Sequence, residues 1–242
     1  MNQASLSTIK LQAYIARLGI SSRRKAEQMI ADGLVTVDGE LAHIGQRINP
    51  EKVAITIDGK PITNQKTDFI YYLVNKPIGY VSTTQDELGR KTVLDLLPPQ
   101  KDRLYPVGRL DIDSEGLILI TNDGNLAQKL THPAFEIPKT YHVLISGTPS
   151  NKALNHLKKG VKLTDGYTKP ALVSIVKHDL GDTWVSITIH EGKNRQIRRM
   201  ISRVGYEVLR LIRVSMADFS LEMLEGKRYL KIDQPQIANT QP

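Results

Sequence analysis

The sequence predicts an α+β protein, with a small front domain and a larger domain built on a mixed, largely antiparallel sheet. Three observations support this fold class. Apolar residues at helical spacing are confined to short segments, alternating apolar residues mark a larger number of short strands, and helices and strands do not alternate regularly. Regular alternation would favour a doubly wound parallel sheet instead. The 242 residues, 40% of them hydrophobic, suffice for a packed core and suit a large domain beside a small one.

The front domain is predicted over residues 8–62. Its first helix ends at Gly19, and a serine cap, Ser21 or Ser22, precedes a second helix that ends at Gly33. Alternating apolar residues then predict short strands separated by Asp-Gly turns. The apolar positions are Leu11, Tyr14, Ile15 and Leu18 in the first helix, Ala26, Met29 and Ile30 in the second, and Val35, Val37, Val53, Ile55 and Ile57 in the strands.

A polar segment at 63–68 predicts a linker, and the second domain follows over residues 69–232. The Gln, Asn and Pro content of residues 233–242 is typical of a frayed tail. Within the second domain, strands are predicted at 69–74, 117–121, 141–146, 172–176, 184–189 and 208–214. Helices are predicted at 125–130, 152–158 and 195–204.

Composition narrows the function classes. The chain contains no Cys, which excludes disulfides, thiolate metal sites, iron–sulfur clusters and a cysteine nucleophile. Residues 1–7 show no basic segment followed by an apolar run, and no stretch approaches the roughly 18 apolar residues that span a bilayer. The net charge is +8, with a sequence pI near 9.5. We therefore expect a cytoplasmic protein without a membrane segment and with an anionic partner.

Common catalytic motifs are absent from the sequence. It contains no Gly-x-Gly dinucleotide fingerprint, no P-loop, no zinc-protease helix and no Gly-x-Ser-x-Gly elbow. The run from Asp111 to Gly116 looks like the start of a calcium loop. However, its twelfth position is Asn122 rather than a bidentate carboxylate, and a predicted strand follows it. Spacing alone leaves a magnesium role, and hence a metal-dependent nuclease, open for Asp111, Asp113 and Glu115.

Most of the positive charge lies in one segment. Residues 191–213 carry seven basic and two acidic side chains, a net of +5. Arg195, Arg199 and Arg203 share one face of the predicted helix at 195–204, whereas Arg198 lies near its apolar side, where a guanidinium needs a buried partner. A solvated basic helix is the ordinary interpretation of such a charge run.

A charged, glycine-punctuated loop at 107–116 precedes the apolar strand at 117–121. Active-site carboxylates often lie at such junctions, although a plain turn, in which Asp111 or Asp113 bonds its own backbone, also fits the pattern. This acidic loop complements the basic helix, because a carboxylate held against an arginine stays ionised and oriented. Such an arrangement suits a nucleophile.

Four segments together resemble a known family. Gly108-Arg-Leu-Asp111-x-x-Ser-x-Gly-Leu-x-x-x-Thr-Asn-Asp-Gly124 resembles the signature of RNA pseudouridine synthases of the RsuA/RluB type. The similarity extends to Asn75-Lys-Pro-x-Gly79, Lys139-Thr-Tyr141 and Glu191-Gly-Lys-Asn-Arg-Gln-Ile-Arg-Arg-Met200. Residues 8–62 resemble the small alpha-L RNA-binding domain first known in a small-subunit ribosomal protein. The resemblance covers about residues 10–232 and implies the pseudouridine synthase fold for residues 69–232.

The resemblance also implies an activity. The family breaks the N-glycosidic bond of a uridine, turns the base and joins its fifth carbon to the ribose, without cofactor, metal or redox step. Asp111 would be the essential carboxylate, acting on either the ribose anomeric carbon or the base. Tyr141 would stack on the base and help move a proton, although a strand tyrosine that fills the core is the plainer interpretation. Arg198 would pair with Asp111, and Ile197 would line the base pocket.

The resemblance also implies residues that bind the RNA around the target base. The target base must leave its stack, at a cost of a few kcal/mol, which phosphate contacts would offset. Arg109 would hold the loop or occupy the space left by the flipped base. The remaining substrate-binding candidates are Lys193, Asn194, Arg195, Arg199 and Arg203. The candidates in the front domain, at the start of its second helix, are Arg17, Arg23, Arg24 and Lys25.

The expected partner is ribosomal RNA, or an rRNA-containing assembly intermediate, bound by a monomer. The residues at the motif positions, with Leu163-x-Asp-Gly-Tyr167 before Pro170, resemble those of members acting on large-subunit (23S) rRNA more closely than those of members acting on small-subunit (16S) rRNA. A 16S rRNA target remains the alternative within the family. A non-catalytic RNA-binding assembly factor and the metal-dependent nuclease remain alternatives outside it.

Overall fold

The computed structural model describes residues 8–62 and 68–237. The chain divides into two compact units, with the boundary between Phe69 and Ile70. Most of the predicted linker at 63–68 lies outside the described residues, as do residues 238–242 of the predicted tail. Tail residues 233–237 are described and form neither helix nor strand. No helix in the described ranges is long and apolar enough to cross a membrane.

The front unit contains two helices followed by short strands, as the sequence predicts, and one two-residue strand before the first helix, which the sequence does not predict. Of the two candidate caps, Ser22 is the one used, since its Oγ accepts a hydrogen bond from the Lys25 N–H at 3.0 Å. The elements are β1 (Ile9–Lys10), α1 (Leu11–Arg17), α2 (Arg23–Ala31), β2 (Val35–Val37), β3 (Glu40–Leu41), β4 (Arg47–Ile48), β5 (Ile55–Ile57) and β6 (Lys60–Ile62). The predicted apolar residues of both helices pack against those of the strands in one small core.

The second unit is organised around one large sheet. Its first elements are β7 (Tyr71–Lys76), β8 (Tyr105–Val107), β9 (Glu115–Thr121), α3 (Gly124–Thr131), β10 (Lys139–Ile145) and α4 (Asn151–Lys159). The next are β11 (Lys162–Leu163), β12 (Gly166–Tyr167), β13 (Leu172–Asp179), β14 (Asp182–Ile189) and α5 (Gln196–Arg203). The last are β15 (Val208–Met216), β16 (Phe219–Ser220) and β17 (Tyr229–Ile232).

The main path of the sheet is β13-β14-β10-β15-β9-β7-β17, with β8 paired to β9 and β16 to β15. Among the described strands of this sheet, only β9 and β15 pair in parallel. The predicted fold class is therefore confirmed. The sequence does not predict the strands β8, β16 and β17, which have only two to four residues each.

The sheet is covered on both faces, which explains the continuous apolar run of β9. Ile118 and Ile120 face the core that includes α4 and α5, whereas Leu117 and Leu119 face the core that includes Leu130 of α3. A strand buried on both faces shows no apolar–polar alternation. The central strands are thereby fixed in position between two packed layers.

Gly116 allows β9 and β15 to approach each other closely. Its φ is +105°, and a Cβ at this position would lie 2.3 Å from the carbonyl oxygen of Arg213.

We expect Gly116→Ala to lower the free energy of unfolding by about 2–4 kcal/mol, because it adds both backbone strain and a clash with β15. Urea denaturation measures the loss. Gly147→Ala is the matched control, since φ there is +71° but no atom lies within 4 Å; equal losses in both variants would contradict the role of close packing.

Candidate active site

A cavity of about 340 Å³ opens where β10 begins and β14 ends. Its walls are the loop at 108–114 before β9, the loop at 190–195 before α5, and side chains of β10 and β15. Asp111 and Tyr141 both line it. The volume lies in the range of about 300–1,000 Å³ that is usual for small-ligand sites.

Lys76 holds the backbone of the loop that carries Asp111. This lysine is fully buried at the end of β7, and its Nζ donates to the carbonyl oxygens of Asp111 at 2.9 Å and Ser114 at 2.6 Å. Ser82 Oγ donates to the Leu110 carbonyl at 2.9 Å and accepts from the Leu110 N–H at 3.1 Å. The backbone of the loop is thus held on both sides of Asp111, while the Asp111 side chain is one-third exposed.

Burial lowers the pKa of Lys76 to about 8, an effect that the carboxylates of Asp113, Asp111 and Glu115 oppose. In the unfolded chain the ordinary value of 10.5 applies, so the unfolded state binds more protons between pH 8 and 10.5. The contribution of Lys76 to the free energy of unfolding therefore rises with pH across this window. We expect the wild type to gain stability relative to Lys76→Met between pH 8 and pH 10, as measured by urea denaturation. A difference that does not change with pH would contradict the shift.

Arg195 is the arginine that reaches the Asp111 carboxylate. Its Nη1 lies 3.5 Å from Asp111 Oδ2, and it donates to both carboxylate oxygens of Asp113 at 3.2 and 2.9 Å. These hydrogen bonds lower the pKa of Asp113, and the charge of nearby Arg198 adds to the effect. Arg195 precedes α5 in a left-handed conformation with φ of 45°. Its side chain crosses from the basic helix to the acidic loop.

The predicted pairing of Arg198 with Asp111 is wrong. Arg198 Nη2 donates instead to the backbone carbonyl of Asp113 at 2.8 Å, and its Nε lies 3.3 Å from Asp113 Oδ2. Its Nη1 donates to the Val208 carbonyl at 3.4 Å. The expected buried partner of Arg198 is therefore mostly backbone. Arg198 thus contacts Asp113 and the backbone of the acidic loop, whereas Arg195, one turn earlier, reaches the Asp111 carboxylate.

The structure brings most of the remaining predicted residues to the cavity. Tyr141 and Ile197 are buried in its wall, and Arg109, Lys193 and Asn194 also line it. Three predicted residues of α5 line a second, basic cavity instead. The residues around that second cavity are Lys162, Leu163, Thr164, Arg198, Arg199, Ser202 and Arg203.

Arg199 is engaged by Asp165, which accepts two hydrogen bonds from its guanidinium at 2.8 and 3.0 Å. Arg203 is exposed on the same helix. In the front unit, the predicted RNA-binding residues Arg17, Arg23, Arg24 and Lys25 are all exposed.

The three acids considered for a metal site do not form one. Glu115 receives two hydrogen bonds from Arg210, at 2.7 and 2.9 Å, while Asp113 is occupied by Arg195. Within residues 8–62 and 68–237, no group of three His, Asp or Glu side chains is arranged to hold a metal ion. This geometry gives the metal-dependent nuclease no support.

Sequence reasoning missed three basic residues at this site. One is Lys76, which binds the backbone of the Asp111 loop. The other two are Lys139 and Arg213, which line the cavity. Lys76 and Lys139 stand inside segments that carry the family resemblance, and Arg213 belongs to the basic segment at 191–213. A lysine or arginine within an otherwise apolar strand was the signal that could have identified them.

Comparisons with known proteins identify the family of each unit. Residues 70–203 match the family described as RNA pseudouridylate synthase, and residues 9–53 match the S4 domain. A Bacillus subtilis (strain 168) protein named ribosomal large subunit pseudouridine synthase B is 40% identical over 218 residues, which cover 89% of this chain and 88% of that protein. An Aquifex aeolicus (strain VF5) protein, named an uncharacterized RNA pseudouridine synthase, is 35% identical over 232 residues, covering 95% and 92% of the two chains.

A solved structure is also similar. The crystal structure described as a pseudouridylate synthase superposes with a TM-score of 0.66 and 29% sequence identity. The similarity covers 93% of this chain and 96% of that chain. It therefore extends through both units of the present chain.

Proposed function

The chain belongs to the RNA pseudouridylate synthase family and is an RNA pseudouridine synthase, and from this premise we propose that it converts a uridine of 23S rRNA into pseudouridine, using Asp111 as nucleophile and no cofactor. The observation that carries this proposal is the position of Asp111. Its backbone is fixed by buried Lys76, while its carboxylate faces the same cavity as Tyr141 and lies 3.5 Å from the Arg195 guanidinium. A nucleophile needs this combination of a rigid loop and an orienting partner.

The cavity suits a flipped pyrimidine nucleotide. Tyr141 offers a ring face, and Ile197 and Leu211 add apolar surface, so a base removed from its stack regains contacts there. Polar groups at the rim, among them Arg109, Lys193 and Asn194, can contact the ribose and phosphates. Asp111 would then act on the anomeric carbon or on the base held against Tyr141.

Arg199 and Arg203 support binding of the flanking RNA backbone. Both line the basic cavity beside α5, together with Lys162. In the free protein, Asp165 occupies the Arg199 guanidinium. A phosphate can replace this half-exposed carboxylate at little cost, because exposed ion pairs contribute only about 0–1 kcal/mol. Arg198, whose guanidinium lies beneath the Asp111 loop, is proposed as a positioning residue of that loop rather than as a partner of Asp111.

The S4 domain supports RNA binding by the front unit. Arg23, Arg24 and Lys25 occupy the first turn of α2, where positive charge opposes the helix dipole at a cost of about 0.3–1 kcal/mol each. Their exposed position is therefore explained better by an anionic partner than by helix stability. With Arg17 they form the proposed RNA-binding face of this unit.

Substituting glutamine for Arg23, Arg24 and Lys25 together should weaken rRNA binding. The plot of log K against log salt should become less steep, its slope falling in magnitude by about 2–3, because RNA that makes fewer phosphate contacts releases fewer counterions on binding. The rate at saturating RNA should not change. The matched control substitutes glutamine for Lys152, Lys158 and Lys159, three exposed lysines of α4, which removes the same charge. Equal salt slopes for the two triple variants would contradict the role of the front unit.

The assignment to 23S rRNA is supported by the motif wording and by the name of the Bacillus subtilis relative. The test incubates the purified protein with 23S and 16S rRNA transcripts and maps pseudouridine by chemical labelling and primer extension. We expect a new pseudouridine in the 23S transcript only. Modification confined to 16S rRNA would overturn the target, and binding without modification of either RNA would favour an assembly factor. The monomeric state and the cytoplasmic location stay predictions.

A further inference from the structure

Arg213 is placed on the wall of the cavity by the register of two central strands. It pairs with Tyr141 across β10 and β15. Residues opposite each other in antiparallel strands project to the same face of the sheet. Arg213 is only 2% exposed, yet it lines the same cavity as Tyr141 and Asp111.

The guanidinium of Arg213 is only partly satisfied. Its Nε donates to the Leu117 carbonyl at 2.7 Å, while its buried Nη2 has no acceptor in the described part of the chain. None of the ion pairs formed by described residues includes Arg213. A buried donor without a partner is costly and calls for a functional explanation.

Lys139 adds a second cation at this wall. It lies two residues before Tyr141 on β10, lines the cavity, and donates to the Ile137 carbonyl at 3.0 Å. Burial, together with the charge of Arg213, lowers its pKa to about 8. By contrast, Arg195 and Arg210 are paired with Asp113 and Glu115. Among residues 8–62 and 68–237, no carboxylate lies within ion-pair distance of Lys139 or Arg213. The positive charge of this wall therefore suits an oxygen that carries negative charge.

We propose that Arg213 is a catalytic residue, whose guanidinium, assisted by Lys139, donates to a carbonyl oxygen of the target uracil and stabilises the charge that develops there. This inference rests on the proposed function. On the route in which Asp111 attacks the anomeric carbon, its carboxylate oxygen bonds to C1′ as the bond from C1′ to N1 breaks, and the electron pair of that bond stays on the base and is shared with the ring oxygens. The base then turns, and C5 bonds to C1′ as the bond from C1′ to the Asp111 oxygen breaks and frees the carboxylate. The C5 proton leaves and N1 takes up a proton, so substrate and product are isomers.

A phosphate oxygen of the target nucleotide carries the same charge chemistry, but the uracil oxygen fits the geometry better. Arg213 lies directly opposite Tyr141, the residue proposed to stack on the base, and deep in the wall rather than at the rim. A donor aimed at developing charge in a site sheltered from water typically contributes about 10²–10³-fold to the rate. A phosphate contact would instead contribute to RNA affinity.

The test compares the single-turnover rates at which Arg213→Met consumes the target nucleoside in RNA that contains either uridine or 5-fluorouridine at that position. Loss of the starting nucleoside from a nuclease digest is the readout for both bases, because a base with fluorine at C5 has no C5 proton to release. Fluorine makes the base a better leaving group, so cleavage of its glycosidic bond needs less help from a cation. We expect the variant to lose about 10²–10³-fold on uridine, markedly less on 5-fluorouridine, and to retain its RNA affinity within a few-fold. Arg210→Met is the matched control on the same strand, and its effect should not depend on the base.

Equal losses on both bases would overturn the proposal, and so would weaker RNA binding with an unchanged rate, which would identify a phosphate contact. If circular dichroism shows that Arg213→Met is unfolded, Arg213→Lys and Lys139→Met are decisive, because both must show the same dependence on the leaving group. A wild-type protein that forms no pseudouridine would contradict the proposed function itself. An unimpaired Arg213→Met beside an active wild type would contradict only this inference.

Discussion

Replacing Asp111 with asparagine should lower the rate of pseudouridine formation by at least about 10³-fold, because the amide keeps the size of the carboxylate but cannot act as the nucleophile. The Asp111 loop should stay in place, since Lys76 binds its backbone rather than its side chain. Affinity for rRNA should therefore stay within about twofold, because phosphate contacts elsewhere supply it. Single-turnover kinetics on a 23S rRNA fragment, together with filter binding, separates these two effects.

Glu115→Gln is the matched control for this substitution. Glu115 lies four residues later and is paired with Arg210 outside the cavity. We expect its rate to fall by less than about threefold, in line with the small contribution of exposed ion pairs. A chelator should leave the wild-type rate unchanged. Comparable losses in Asp111→Asn and Glu115→Gln, together with inhibition by the chelator, would restore the metal-dependent interpretation of the acidic loop.

Lys76→Met should lower the free energy of unfolding by about 2–4 kcal/mol at pH 7, because two buried carbonyl oxygens lose their donor, at about 1–3 kcal/mol each, while the cost of burying the charged amine is removed. Methionine fills the space but donates no hydrogen bond, so the carbonyls of Asp111 and Ser114 lose the donor that holds them beneath the loop. A loosened loop also misplaces the Asp111 carboxylate. Because a shift of about 1 Å can cost about 10²-fold in rate, we expect a loss of that order in the folded variant.

Urea denaturation and single-turnover kinetics test both parts of this prediction. The control is Lys152→Met, since Lys152 is exposed on α4 and should change the free energy of unfolding by less than about 0.5 kcal/mol. A Lys76→Met variant that is as stable as this control, or that is stable and fully active, would contradict the claim that hydrogen bonds from Lys76 hold the loop in place.

The fold was predictable wherever local patterns carry it. A serine cap before α2, the helices α4 and α5, and the long strands all follow from periodicity and capping, although only the structure decides for Ser22 over Ser21. The strands β8 and β17 were missed because they are short and their stability comes from pairing with β9 and β7. Such pairing depends on contacts between residues far apart in sequence, which a periodicity search does not detect.

The candidate site was likewise predictable only where local motifs mark its residues. Asp111 and Tyr141 stand in motifs that the sequence displays, and the structure places both at one cavity. The predicted pairing of Arg198 with Asp111 is wrong, because Arg195 is the arginine within ion-pair distance of Asp111, while Arg198 contacts Asp113. Arg213 was missed as a site residue, because only the register between β10 and β15 places it opposite Tyr141.

The most direct test of the central claim is a map of every pseudouridine in the rRNA of cells that lack this protein, complemented with either the wild type or Asp111→Asn. We predict that one 23S rRNA pseudouridine is absent without the protein, restored by the wild type and not restored by Asp111→Asn. Restoration of the same pseudouridine by Asp111→Asn would contradict the account, as would a map that does not change when the protein is removed.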